Sequence, residues 1–327
     1  MTKLRKIEDL ILYIRLADTN GIGLKTIKKI LERFKSLKNI NDGELERLLG
    51  YKKAEKIMLS LDTERKFEED LIKTLDKNCI NFILYEEEEY PEILRRMEDP
   101  PPYLFFLGEP PKEGYGIVGT RKPSSISVKA VEKLLENLKG FIISGGAVGI
   151  DYKAHFESLK RGFKNFVILG TGILKIEPRI KKLREMGATL ISEFLPWVEG
   201  GKWTYPKRNR IIAGLSRELY VIEAGEKSGA LITAEYAYKY GRRVYAYVGD
   251  ENSERWKGCL KLIEEGKAQR LILEENREAI LEFLKTPKTF DEIMNHLKED
   301  KRKVLKLLSS LMIEGKVVQE GAYYKKV

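Results

Sequence analysis

The residues of this chain best placed to do chemistry are those suited to holding phosphate. Phe141–His155 reads FIISGGAVGIDYKAH, an apolar run that enters Ser144, Gly145 and Gly146 and leads into a helix expected to begin near Asp151. Glycines let the backbone approach an anion closely, and the first amides of a helix point toward it. Ser144 adds a hydroxyl donor to that turn. Tyr205–Ser216, YPKRNRIIAGLS, concentrates Lys207, Arg208 and Arg210 without an acidic residue. Ile211, Ile212 and Leu215 have the spacing of a helix that packs inward, so only some of the three cations face one ligand. Asn209 either holds this segment or reads a nucleotide edge. Trp203 and Tyr205 either stack on exposed bases or pack in the core. In Gly119–Pro123, GTRKP, Arg121 offers a planar, permanently charged fork beside Lys122. Ser124 and Ser125 follow, as phosphate donors or as caps of the next helix. Ser228 and Gly229 precede a further helix and offer a second anion contact.

Catalytic groups are harder to assemble. Asp151 reads as a helix N-cap with His155 one turn beyond it, and a buried, hydrogen-bonded histidine suits that spacing better than an acid–base pair. Glu223 at a strand end is expected to orient Arg210 or Arg121 through an ion pair, its alternative being catalysis. No Ser–His–Asp or Cys–His set can be built, and two histidines are too few for a histidine metal site. The turn matches neither G-x-G-x-x-G nor the P-loop pattern, so an NAD or ATP site has no motif support.

The elements that must position these residues fall into three regions. Residues 1–75 read as short helices at Ile7–Ala17, Leu24–Arg33, Glu44–Leu49 and Ala54–Leu61. Gly21-Ile22-Gly23 between the first two is either a helix-hairpin-helix turn, which presents amides to a DNA phosphate, or a plain helix–helix turn. The acidic block Tyr85–Tyr90 reads as a solvated loop and Pro100–Pro102 as a rigid connector. Residues 76–274 alternate apolar strands (Tyr115–Val118, Phe141–Ile143, Phe166–Leu169, Thr189–Ile191, Leu219–Ile222, Arg243–Val248) with helices (Ser127–Leu138, Tyr152–Lys160, Ile180–Met186, Thr233–Lys239). This pattern predicts an α/β fold, an extended Rossmann-like, doubly wound, mostly parallel sheet. Ligands on such sheets bind at the carboxyl ends of the strands, where the phosphate motifs lie. Residues 275–327 are expected to form helices at Arg277–Lys285, Phe290–Leu297 and Lys301–Glu314, then a hairpin, the plan of a winged helix that binds either DNA or protein.

The net charge of +10 over 327 residues favours a polyanionic partner, nucleic acid or an anionic membrane surface. The sequence holds no run of about 18 apolar residues, so no membrane span is expected, and the charged N-terminus lacks the features of a signal peptide. Cys79 and Cys259 lie far apart without metal spacing, which suits a reducing cytoplasm.

GIVGTRKPS, ISGGAVGIDYKAH, YPKRNRIIAGLS and VIEAGEKSGALITAEYAYKYGRRVYA, in this order, resemble the DNA processing protein A family (DprA, also called Smf). The resemblance covers most of residues 80–270, and the flanking helical and winged-helix segments fit the family's three-part layout. It implies a single-stranded DNA-binding protein, not an enzyme, that protects incoming DNA during natural transformation and helps load the RecA recombinase. It also implies a dimer that needs no cofactor. Carried over by motif, Arg121 contacts a phosphate, Ser144, Gly145 and Gly146 line the pocket, and Lys207, Arg208 and Arg210 supply the basic surface. The chain departs from the family at Gly170–Pro178, where the rim is shortened, at Val248-Gly249-Asp250 and at Leu260. The alternative is a nucleotide-binding or nucleotide-cleaving Rossmann-like enzyme in which Glu223, Asp151 or His155 carries the chemistry.

Overall fold

Among the described residues five helices open the chain: α1 (Lys3–Ala17), α2 (Leu24–Phe34), α3 (Asp42–Leu49), α4 (Tyr51–Asp62) and α5 (Phe67–Lys77). Each turns an apolar stripe inward. Ile27, Ile30, Leu31 and Phe34 of α2 are buried at the i, i+3, i+4, i+7 spacing that puts them on one face. The computed structural model describes residues 3–63, 67–273, 280–297 and 301–327.

The chain then enters a nine-stranded sheet of order β1-β2-β6-β5-β4-β3-β7-β8-β9. Its strands and helices run β1 (Asn81–Leu84), α6 (Glu92–Arg95), β2 (Tyr103–Leu107), β3 (Gly114–Gly119), α7 (Ser125–Asn137), β4 (Ile142–Ser144), α8 (Ile150–Lys160) and β5 (Asn165–Ile168). They continue as α9 (Pro178–Glu185), β6 (Thr189–Ser192), α10 (Thr204–Leu215), β7 (Ser216–Ile222), α11 (Gly229–Lys239), β8 (Arg243–Tyr247), α12 (Lys257–Glu264) and β9 (Gln269–Arg270). The strands from β6 across to β9 pair in parallel. Strand β2 joins β6, and β1 joins β2, antiparallel. The parallel strands are buried on both faces, which is why they read as continuous apolar runs. From β3 the order runs one way through β4, β5 and β6 and the other way through β7 and β8. That reversal opens a crevice at the carboxyl ends of the strands.

The acidic block is more than a solvated loop. Tyr85 and Tyr90 are buried. Glu86 accepts a hydrogen bond from Tyr13 Oη (2.9 Å) and Glu87 pairs with Lys6 (2.8 Å), so the block ties α1 to the sheet. One apolar cluster runs from Leu10, Ile27 and Leu45 of the opening helices to Phe105, Ile143 and Val221 of the strands.

The chain divides into two compact units, Met1–Arg270 and Leu271–Val327. The second holds a helical turn at residues 280–283, β10 (Lys288–Thr289), α13 (Phe290–Leu297), α14 (Lys301–Ile313), β11 (Val317–Glu320) and β12 (Tyr323–Lys326). Its sheet has the order β10-β12-β11, and Ile293, Val304, Leu308, Leu311 and Tyr324 form its core. The start of the expected helix Arg277–Lys285 lies outside the described residues.

Candidate nucleic-acid interface

The crevice has a volume of about 780 Å³, and most of the segments that line it follow a strand or open a helix. The turn after β3 contributes Thr120 and Arg121, and the turn after β4 contributes Gly145 and Asp151. The start of α9 adds Arg179, α10 adds Tyr205, Arg208 and Asn209, and the turn after β7 adds Ser228 and Gly229.

Close approach depends on glycine at two places. A Cβ on Gly145 would stand 2.6 Å from the guanidinium nitrogens of Arg208. Gly149 holds φ +95°, and a Cβ there would run into the backbone of Thr120 and Arg121. Gly149 also occupies the N-cap of α8. Asp151 is therefore not the cap expected from sequence: it lies inside the first turn, and its carboxylate accepts from the Gly145 amide at 3.1 Å. Burial raises its pKa, while the charge of Arg208 opposes the rise.

Arg208 is almost wholly buried on the crevice floor. It donates to the Gly145 carbonyl at 2.8 Å and to the Ile168 carbonyl, and its Nε donates to Asn209 Oδ1 at 3.2 Å. Burial, opposed by the charge of Asp151 and reinforced by that of Arg121, brings its pKa down to about 10, so it stays a cation at neutral pH. Arg179 is likewise lowered, first by burial and then by Arg121. Its Nε donates to the Gly146 carbonyl at 3.0 Å and its Nη2 to Glu177 at 2.8 Å. Arg121 is exposed, and among the described residues its guanidinium has no hydrogen-bond or ion-pair partner. Three arginines thus face one space, Arg121 repelling the other two, an arrangement that an anion relieves. Tyr205 flanks them, 39% exposed, with the Arg208 guanidinium 6.0 Å from its ring centroid. Trp203, 63% exposed, sets its edge against Phe194.

Other residues expected at the site lie beside it or have structural partners of their own. Arg210 sits two positions past Arg208, about 200° around a helix, and is turned away from the crevice. It pairs with buried Glu193 and donates to the Asp99 carbonyl at 2.7 Å. Lys207 is 3.6 Å from the same Glu193 and lies over the Phe194 ring. The Ser144 hydroxyl is fully buried and donates to the Ile117 carbonyl at 2.5 Å, so it braces neighbouring strands rather than facing a ligand. Gly146 and Lys122 flank the crevice wall without lining it. Ser228 caps α11 and accepts from the Ala230 amide at 3.3 Å.

Glu223 pairs with neither Arg121 nor Arg210. Its carboxylate is 1% exposed and lies under the Arg121 loop, with Arg255 Nε 2.9 Å away as an ion pair rather than an aligned hydrogen bond. Its Oε2 accepts from the Ser124 amide (2.8 Å), Ser124 Oγ (2.8 Å) and Ser127 Oγ (2.5 Å). Its own carbonyl accepts from the Thr120 amide at 2.8 Å. Arg255 also donates to the Lys122 carbonyl at 3.0 Å. One residue therefore brackets the loop from both ends. It does so at φ +55°, a left-handed conformation that a glutamate adopts only when its surroundings hold it there. Sequence reasoning missed Arg179 and Arg255: neither sits in a glycine-rich turn, and the basic run that Arg179 opens, PRIKKLR, reads as an ordinary helix start.

His155 is fully buried, with Nδ1 donating to Asn165 Oδ1 at 2.8 Å, and it lies outside the crevice wall. Burial lowers its pKa to about 4. The unfolded chain binds this proton near pH 6.5, so the fold is penalised as pH falls from about 6.5 toward 4, with no further loss below. Between pH 7.5 and pH 5 this group should remove about 2 kcal/mol of stability. Urea unfolding at the two pH values should show that much less pH dependence in His155→Gln than in the parent chain.

A family model described as DNA recombination-mediator protein A matches residues 81–285. The chain belongs to that family. This family member is 33% identical over 285 residues to Protein Smf of Synechocystis, covering 81% of this chain and 70% of that protein. It is 37% identical over 198 residues to DNA processing protein DprA of Bacillus subtilis, covering 57% and 67%. The X-ray structure of DprA from Streptococcus pneumoniae superposes with a TM-score of 0.69 at 31% identity, over 81% of this chain and 95% of that one. DprA from Helicobacter pylori, solved for its single-stranded DNA binding mode, gives 0.53 at 25% identity over 62% and 95%.

Proposed function

We propose that this chain is a non-catalytic recombination mediator that binds single-stranded DNA in the crevice between β3, β4 and β7, in the cytoplasm, as a homodimer and without a cofactor. The observation that carries the reading is the convergence of Arg121, Arg179 and Arg208 on one space at the topological switch point, with Arg121 repelling the other two and an exposed tyrosine beside them. Arginine forks suit phosphate oxygens, and Tyr205 offers a face for an unpaired base. The single-stranded DNA binding of the Helicobacter pylori relative supports it. Arg121, Gly145, Arg208, Asn209, Ser228 and Gly229 are the proposed phosphate contacts within reach of the crevice. Lys122 and Lys207 serve at its rim, and Ser144, Gly146 and Arg210 support it from behind.

The three-part layout goes with this reading: a helical region at 1–75, the binding core at 76–274 and a winged helix at 275–327. The family resemblance supports delivery of the strand to RecA during natural transformation. The enzymatic alternative draws no support from Glu223, whose carboxylate is taken up by Ser124, Ser127 and Arg255.

Binding of a labelled oligonucleotide and of its duplex, measured by anisotropy across a salt series, tests the reading. The single strand should bind more tightly, and log Kd should rise linearly with log salt at about 0.7 per phosphate contacted. Equal binding to both forms would remove the single-strand reading.

A further inference from the structure

The first turns of α8 and α9 line the crevice through Asp151 and Arg179. Both helices lead back from the crevice and pack against each other, so the seam between them starts at its wall. Arg179 stands at the head of α9. One turn on, Lys182 places its ammonium 5.3 Å from the Phe156 ring centroid, and Lys160 places its own 5.5 Å from the same ring. Phe156 stacks on Tyr152, one turn nearer the crevice, with centroids 5.8 Å apart and planes at 23°. Both rings are half-buried between the helices.

Cations held over aromatic faces keep their charge and lose some of their freedom. Among the described residues Lys182 and its neighbour Lys181 have no carboxylate partner, and Lys160 is 3.7 Å from Glu157. The acidic side chain at the crevice end of the seam, Glu177, is occupied by Arg179. The seam therefore presents a row of fixed positive charge that continues the charge of the crevice.

We propose that the α8–α9 seam is a second segment of the nucleic-acid interface, along which a single strand leaving the crevice at Arg179 is held by its phosphates through Lys182 and Lys160. The aromatic pair supplies the platform that keeps these ammoniums in line. This rests on the crevice being the site of single-strand binding. It adds a direction to that binding, because the strand leaves past α9.

Oligothymidylates of two lengths, about 4 and about 20 nucleotides, separate the two readings in the full chain. The double variant Lys160→Ala/Lys182→Ala changes exposed side chains, and circular dichroism melting checks its fold. For the long oligonucleotide it should weaken binding about tenfold at low salt and lower the salt slope by about 1.4, the share of two phosphates. The loss should shrink toward none for the short one. Parent-like binding of the long oligonucleotide, or an equal loss at both lengths, overturns the seam while leaving the crevice standing. Arg121→Ala run alongside should weaken both lengths. Its failure to weaken either would remove the crevice, and the exit path with it.

Discussion

Replacing Arg121 with alanine is expected to weaken single-strand binding about 10- to 100-fold and to leave the melting temperature unchanged. The magnitude is that of one or two charge-assisted hydrogen bonds to a phosphate, about 1.5–3 kcal/mol. The separation of binding from stability follows from the guanidinium's position. It is exposed and lacks a protein partner among the described residues, so its loss leaves nothing unsatisfied in the fold. Its removal also relieves the repulsion that adds to the effect of burial on Arg208 and Arg179. The salt slope should fall by about 0.7 per lost phosphate contact. Unchanged affinity and slope would show that the strand binds somewhere other than this crevice.

Glu223→Ala should be the more damaging change to the fold. It strips a buried acceptor from two hydroxyls, one amide and one guanidinium, which places it with broken buried ion pairs, at about 3–5 kcal/mol. Glu223→Gln keeps one carbonyl oxygen and should recover part of that. The binding consequence is separable through Arg255, which is half exposed and holds the loop through the Lys122 carbonyl and Glu223. Arg255→Ala should weaken single-strand binding about fivefold in the parent chain and have no effect when Arg121 is already alanine. Such non-additivity marks a residue that acts by positioning another. Additive losses would mean that Arg255 meets the strand itself.

How much of this was legible in the sequence differs from element to element. The parallel strands stood out because burial on both faces leaves uninterrupted apolar runs. The turn after β4 stood out because glycine is needed where Arg208 and Thr120 approach the backbone, and the turns after β3 and β7 stood out by their own glycines. Strands β1 and β2 and helix α5 did not. The pattern of the two strands is interrupted by the acidic block and the proline run that abut them, and the burial of Tyr85 and Tyr90 is a tertiary effect. The basic run on α10 looked like one cationic surface, yet its helical period sends Arg208 to the crevice and Arg210 to Glu193. Glu223 signalled its strand end but not its partner, since Arg255 lies more than thirty residues downstream in a turn with no motif of its own.

The apolar cluster that runs unbroken from α1 to the strands makes the opening helices part of the wall of this fold rather than an appendage. Tyr13 and Lys6 reach the Glu86–Glu87 turn, and Lys28 reaches the Met97 carbonyl. A descendant of this chain could not shed those helices and keep its sheet as it is. It would first need another cover for the β1–β2 edge, either new side chains of its own or the surface of a neighbour.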